Sequence, residues 1–226
     1  MGNRHWRPGS DLVWRVAVPV VVLWRRLRHE VAVTGLERLP EKGPVLVVAN
    51  HVSFRDPLVV VTVAWQRGRR LRALVVEEAF RYPVTGWVLR WSGMIPVPPH
   101  SGRQQSLAAA AEALGAGEAV LIYPEGTIPR PGQVPRALPG VGHLALATGA
   151  PVVPVATRGL ERRRARRTSD RRRCPLRRRP VTVTVGAPVP LDDLRERYAG
   201  PAPDRPVAAR AAAERSLAAV RALAAS

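Results

Sequence analysis

Two kinds of hydrophobic run alternate along the chain. Short β-branched runs end at turn residues, and longer Ala- and Leu-rich stretches repeat at helical spacing. Strands are expected over 31–33, 45–49, 72–76, 94–97, 119–123, 151–156 and 181–185. Helices are expected over 57–66, 82–91, 103–116, 140–148 and 207–224. The runs VLVVA (45–49) and AVLIY (119–123) carry no charged position, as befits strands covered on both faces. Strands alternating with helices predict an α/β fold, a largely parallel mixed sheet flanked by helices. The 226 residues suffice for one such domain. The expected organisation is an N-terminal arm over 1–30 and a domain over 31–226 with a basic loop at 158–180.

The arm contains an apolar run over 12–24, broken by Arg15 and Pro19. It falls short of the roughly 20 apolar residues that a membrane-spanning helix needs. It also lacks the small-residue cleavage site of a signal peptide. At 100° per residue, Leu12, Val16, Val20, Leu23 and Leu27 share one face, and Arg15 and Arg26 share another. With tryptophans at 14 and 24, suited to a headgroup boundary, the segment reads as a helix lying on a membrane surface. An ordinary helix packed on the domain is the plainer alternative.

Charge sharpens this picture. The formal net charge is +19. Residues 158–179 hold twelve arginines against only Glu161 and Asp170. Such patches attract anionic lipid, phosphorylated substrates or nucleic acid. Part of the excess is a compositional habit, since Lys42 is the one lysine. No aromatic strip interleaves with the arginines, so specific nucleic-acid binding is not expected. The lone cysteine, Cys174, rules out an intramolecular disulfide and fits a reducing compartment. The five histidines are scattered and no Cys pair exists, so neither a metal nor another cofactor is expected.

Candidate chemistry sits at two strand ends. Ligands of open α/β sheets bind beyond the carboxyl ends of strands. Asn50 and His51 lie just past 45–49, and Asp56 precedes Pro57 at the start of the next helix. Asp56 is therefore expected as a helix cap. The short turn between them can fold the carboxylate onto the imidazole, fixing its tautomer as in a base-and-orienter pair. Ser53 lacks the nucleophile-elbow pattern. After 119–123 comes PEGTIPRPG (124–132). There Glu125 can accept from a hydroxyl, Gly126 permits close approach to the backbone, Thr127 can donate to an oxyanion or phosphate, and Arg130 adds charge.

The blocks NHVSFRD (50–56) and YPEGT (123–127) together resemble the glycerolipid acyltransferases that act on lysophosphatidic acid, the 1-acyl-sn-glycerol-3-phosphate acyltransferases. GMIPV (93–97) is similar to that family's intermediate block and GAPVVPVA (149–156) to its final one. The resemblance implies an α/β enzyme at a membrane surface, on its cytoplasmic face, peripheral or monotopic. It implies transfer of a fatty acyl group from acyl-CoA or acyl carrier protein to a lysophospholipid hydroxyl. His51 would be the general base, Asp56 its orienter, and Asn50, Glu125, Gly126 and Thr127 would lie in the substrate site. Two family arginines are missing, with Pro99 and Ile128 in their places. Arg103 and Arg130 are the nearby cations that would take over the acceptor's phosphate. The arginine loop would bind coenzyme A phosphates, an acidic carrier protein or anionic lipid. The rival readings are transfer to a different lipid or alcohol, and a non-catalytic protein that binds anionic membrane or nucleic acid.

Overall fold

The computed structural model describes residues 10–99, 103–128, 135–161 and 178–226. Much of the arginine-rich segment, with Cys174, therefore lies outside the described residues, as do Arg130 and the rest of 129–134. The chain order is α1 (Ser10–Arg28), β1 (His29–Thr34), a 3₁₀ turn (Leu36–Arg38), β2 (Val45–Ala49), α2 (Asp56–Gln66) and β3 (Leu71–Val76). A second 3₁₀ segment (Glu77–Arg81), α3 (Pro83–Trp91), β4 (Ile95–Val97), α4 (Arg103–Gly115) and β5 (Ala119–Ile122) follow. The remainder is α5 (Pro139–Thr148), β6 (Val152–Arg158), β7 (Arg179–Val185), α6 (Asp192–Ala199) and α7 (Asp204–Ala225).

The seven strands lie in the order β1-β7-β6-β2-β5-β3-β4. Every neighbouring pair is parallel except β6 with β7. The sheet is thus mixed and largely parallel, as expected. The single antiparallel pairing has a geometric consequence. β1 and β7 run against the other five strands, so their first residues share an edge with the last residues of β2, β5 and β6.

β2 sits at the centre and is buried throughout. Side chains alternate across a strand, and the two faces feed two cores. Val45, Val47 and Ala49 pack with α2 residues Val59, Val60 and Val63. Leu46 and Val48 pack with residues of α4, α5 and α7, including Ala110, Leu144 and Ala212. Helix α7 is Ala-rich because it must come close. A Cβ on Gly142 of α5 would stand 1.8 Å from the Ala209 carbonyl oxygen of α7.

Helix α1 belongs to the domain and also presents an apolar face. Val13, Trp14 and Val18 are buried, and the Trp14 ring stacks on Trp65 of α2 with centroids 5.6 Å apart. Trp14 is therefore a core residue and not the headgroup-boundary residue expected; its indole is only 1% exposed. The predicted stripe of Leu12, Val16, Val20, Leu23 and Leu27 faces outward instead, each residue more than half exposed. Among the described residues no helix is long and apolar enough to cross a membrane. Helix α1 runs directly into β1 at His29, with no linker between arm and domain.

Helix α6 was not anticipated. Its sequence, DDLRERYA, has one buried anchor, Leu194, and is otherwise polar, so no hydrophobic period marks it. Arg215 of α7 holds it through Asp193, and its own Arg195 donates to the Gly149 and Ala150 carbonyls. His143 of α5 reaches the Tyr198 hydroxyl at 3.2 Å and ties α5 to it.

The α5–α7 approach yields a prediction. Gly142→Ala should cost about 1–3 kcal/mol of stability through overpacking, read as a lower urea midpoint with an unchanged slope. An unchanged midpoint would show that the two helices part without cost.

Candidate active site

The carboxyl ends of β2 and β5, neighbours in the sheet, bring the two motifs to one cleft. The first turn of α2 carries Asp56, which is fully buried. Its Oδ2 accepts from the backbone amides of Val52 at 2.6 Å and Ser53 at 2.7 Å, and lies 3.2 Å from His51 Nδ1. A carboxylate only accepts, so Nδ1 is the nitrogen that donates. The expectation of a conventional helix cap is corrected here. Asp56 is the first residue of α2 and turns backward to close the 51–56 loop, because three donors converge there. Its place at a helix N-terminus adds a favourable dipole.

Tyr123, at the end of β5, lies flat against the imidazole, with ring centroids 4.3 Å apart and planes 25° off parallel. The His51 side chain is thus clamped between Asp56 and Tyr123 and only 15% exposed. Burial, and then the charge of Asp56, holds the Tyr123 phenol well above its usual range, so it stays protonated. Phe54 stands edge-on to His51 at 6.4 Å and is 77% exposed.

Glu125 faces the same cleft. It lies near enough to the His51 backbone amide for that amide to favour its ionised form, which brings the two motifs side by side. Burial pushes the Glu125 carboxyl up to about 7; the fields of His51 and Arg221 and the nearby His51 amide oppose the rise, and the charge of Asp56 adds to it. A half-protonated carboxyl at neutral pH can both accept from and donate to a hydroxyl. Gly126 follows with φ +67°, its amide bonded to the Tyr123 carbonyl at 3.0 Å. This left-handed turn suits only glycine, and a Cβ would also strike Leu138. Thr127 is exposed at the rim.

Two expected residues are placed differently. Asn50 was expected to contact substrate, but its side-chain amide is engaged with Thr157 of β6. Nδ2 donates to the Thr157 carbonyl at 2.9 Å, and Oδ1 accepts from the Thr157 amide at 2.7 Å. Asn50 therefore clips β2 to β6 beside the histidine. Arg103 is exposed at the first position of α4, and no contact among the described residues joins it to His51 or Glu125. The cation acting on Glu125 is Arg221 of α7, which also donates to the Pro135 carbonyl. Arg221, nearly a hundred residues further along the chain, left no local signal. Tyr123 gave only an apolar strand end.

This geometry can be set against known proteins. The family model described as "Acyltransferase" matches residues 30–158, more than half of the chain.

The chain belongs to the acyltransferase family.

A 1-acyl-sn-glycerol-3-phosphate acyltransferase of Pseudomonas aeruginosa is 31% identical over 133 residues, covering 58% of this chain and 49% of that protein. The chloroplastic 1-acyl-sn-glycerol-3-phosphate acyltransferase BAT2 of Brassica napus is 30% identical over 134 residues, covering 58% of this chain and 38% of its own length. A lyso-ornithine lipid O-acyltransferase of Pseudomonas aeruginosa is 34% identical over 132 residues, covering 58% and 48%. The matched region is thus half or less of each of these relatives. The crystal structure of the 1-acyl-sn-glycerophosphate acyltransferase PlsC of Thermotoga maritima superposes with a TM-score of 0.63 at 20% identity, covering 95% of this chain and 78% of that one. That likeness establishes the acyltransferase fold.

The raised Glu125 carboxyl has a testable consequence. Between its ordinary 4.5 and about 7 the folded state binds more protons at this group than the unfolded state does. Stability is therefore lost as pH rises through that window. Glu125→Gln should gain stability over the wild type as pH rises from 4.5 to 7, with a constant gap above it, measured by urea unfolding. A gap independent of pH would contradict the burial of the carboxyl.

Proposed function

We propose that the protein transfers a fatty acyl group from a thioester, acyl-CoA or acyl carrier protein, to the free hydroxyl of a lysophospholipid, 1-acylglycerol-3-phosphate. The observation that carries this reading is the convergence of the Asp56-held imidazole of His51 with Glu125 in one cleft. His51 is the general base and Asp56 its orienter. The acceptor oxygen attacks the thioester carbonyl while Nε2 takes the hydroxyl proton. The tetrahedral intermediate then expels the thiolate, which takes that proton back from the imidazolium, so the C–S bond breaks as the new ester C–O bond remains. General base catalysis contributes about 10²–10⁴-fold.

The developing oxyanion needs donors. The Val52 and Ser53 amides already bond Asp56, and the Gly126 amide bonds Tyr123. The amide and hydroxyl of Thr127, at the exposed rim, are donors of the second motif with no bond to a described residue, and we assign the oxyanion to them. Glu125 holds the acceptor's hydroxyl face. The reaction takes place at a membrane, because each methylene drawn into water costs about 0.8 kcal/mol, and the thioester donors named above put it on the cytoplasmic side. The outward stripe of α1 supports this, as do exposed Tyr82, Val84 and Trp87 on and beside α3, which packs against α1.

A second acceptor class is favoured by one observation. Pro99 and Ile128 stand where cations would grip a phosphate, which suits a different lysolipid such as a lyso-ornithine lipid. Mass spectrometry of the acylated product from mixed lysolipid acceptors decides between them. His51→Ala should lower acceptor-dependent thioester cleavage by about 10²–10⁴-fold. Equal rates in the two proteins would reject the base mechanism and, with it, this function.

A further inference from the structure

A second cluster of side chains lies on the same sheet edge as the cleft and takes no part in the acyl-transfer chemistry. Because β1 and β7 run opposite to β2, their first residues, His29 and Arg179, emerge beside the carboxyl end of the central strands. The two are register partners in the parallel β1–β7 pair and so project from one face. It is the face on which Val31 and Val33, and Val181 and Val183, pack towards α2. Trp24 of α1 meets the His29 ring edge-on at 5.6 Å. The Arg55 guanidinium sits 5.9 Å from the centre of the same Trp24 ring. Arg55 immediately precedes Asp56, so this chain of contacts ends at the catalytic loop. Arg25 and Arg28, in the last turn of α1, complete the group.

The group is unbalanced. His29 is 3% exposed and neither ring nitrogen has a partner among the described residues; Arg25 is 6% exposed and its Nε has none. The acids at hand do not offset them. Glu30 follows His29 along β1 and points to the opposite face, and Glu161 accepts the Gly159 amide. Burial lowers the basicity of His29, and the fields of Arg55, Arg179, Arg28 and Arg25 lower it further, so the ring is neutral and offers one N–H. Among the described residues none of these arginines forms an ion pair; cations so grouped repel one another, and buried donors without acceptors are costly. Both costs disappear when an anion with several acceptor oxygens enters. Guanidinium groups match phosphate in shape and hydrogen-bonding geometry.

We propose that His29, Arg25, Arg28, Arg55 and Arg179 form a binding site for a phosphate group beside the catalytic cleft. The site deepens the acyl-transfer reading and rests on it for its purpose, which is to moor one substrate or the lipid surface next to His51. Its chemistry is met by a phosphate of coenzyme A or by a phospholipid headgroup.

The test uses the full chain and the double variant Arg28→Gln/Arg179→Gln, two exposed positions outside the catalytic pair. Arg205→Gln/Arg210→Gln on α7 is the charge-matched control. Binding is measured for coenzyme A, for 3′-dephospho-coenzyme A, and for phosphatidylcholine vesicles with and without phosphatidic acid. The double variant should lose about tenfold or more in affinity, about 1.4 kcal/mol, for a phosphate-bearing probe, while the control loses little. A loss for coenzyme A but not its dephospho form assigns the site to the donor's 3′-phosphate. A loss confined to phosphatidic acid vesicles assigns it to a lipid headgroup. Unchanged affinity for every probe, or an equal loss in the control, overturns the site. Because binding is read apart from turnover, a wild type that binds these probes yet transfers no acyl group would overturn the proposed function and leave the site standing.

Discussion

One oxygen atom organises the site. Asp56 Oδ2 receives two backbone amides and an imidazole within 3.2 Å, inside a carboxylate with no solvent exposure. Hydrogen bonds to a charged group contribute about 1.5–3 kcal/mol each, and together they offset the cost of burying the charge. The same bonds set the path of the 51–56 loop, so the carboxylate that orients the imidazole also shapes the backbone that presents it. Tyr123 closes the other side of the ring, and Glu125 lies within the field of His51 and its amide. A change at position 56 is therefore felt at both motifs.

The sheet explains why these parts meet. β2 is central and buried on both faces, so its carboxyl end is a fixed platform. β5 and β6 flank it in parallel, delivering Glu125 on one side and Thr157 on the other. The reversal at β7 then brings the amino ends of two more strands to this edge, carrying His29 and Arg179. His51, Glu125 and a cationic cluster thus lie along one edge. The outward apolar stripe of α1 leads towards it, since Trp24 near the end of that helix meets both His29 and Arg55.

Much of this was legible in the residues, for physical reasons. Uninterrupted β-branched runs mark strands covered on both faces, which is why β2 and β5 were readable. The spacing of His51 and Asp56 across a strand-to-helix turn made their meeting foreseeable, as did the glycine of the 125–127 turn. Other features depend on partners remote in sequence. Asn50 reads as a polar ligand until Thr157 stands against it. Trp14 reads as a boundary residue until Trp65 stacks upon it. Arg221 approaches Glu125 only because α7 folds back across α5, and helix α6 lacks the apolar period that would announce it. The strand direction that groups His29 with Arg179 is a property of topology alone.

The central claim is that Asp56 fixes the tautomer of the His51 imidazole, with the proton on Nδ1, leaving Nε2 to accept one from the substrate. Nitrogen-15 NMR of histidine-labelled protein, with the His51 signal assigned by its loss in a His51→Gln sample, reads the tautomer directly at a pH where the ring is neutral. The account predicts a protonated Nδ1 and a bare Nε2 in the wild type, and loss of that preference in Asp56→Asn. An Nε2-protonated ring in the wild type would contradict it, because the nitrogen facing the acceptor would then have no lone pair to offer.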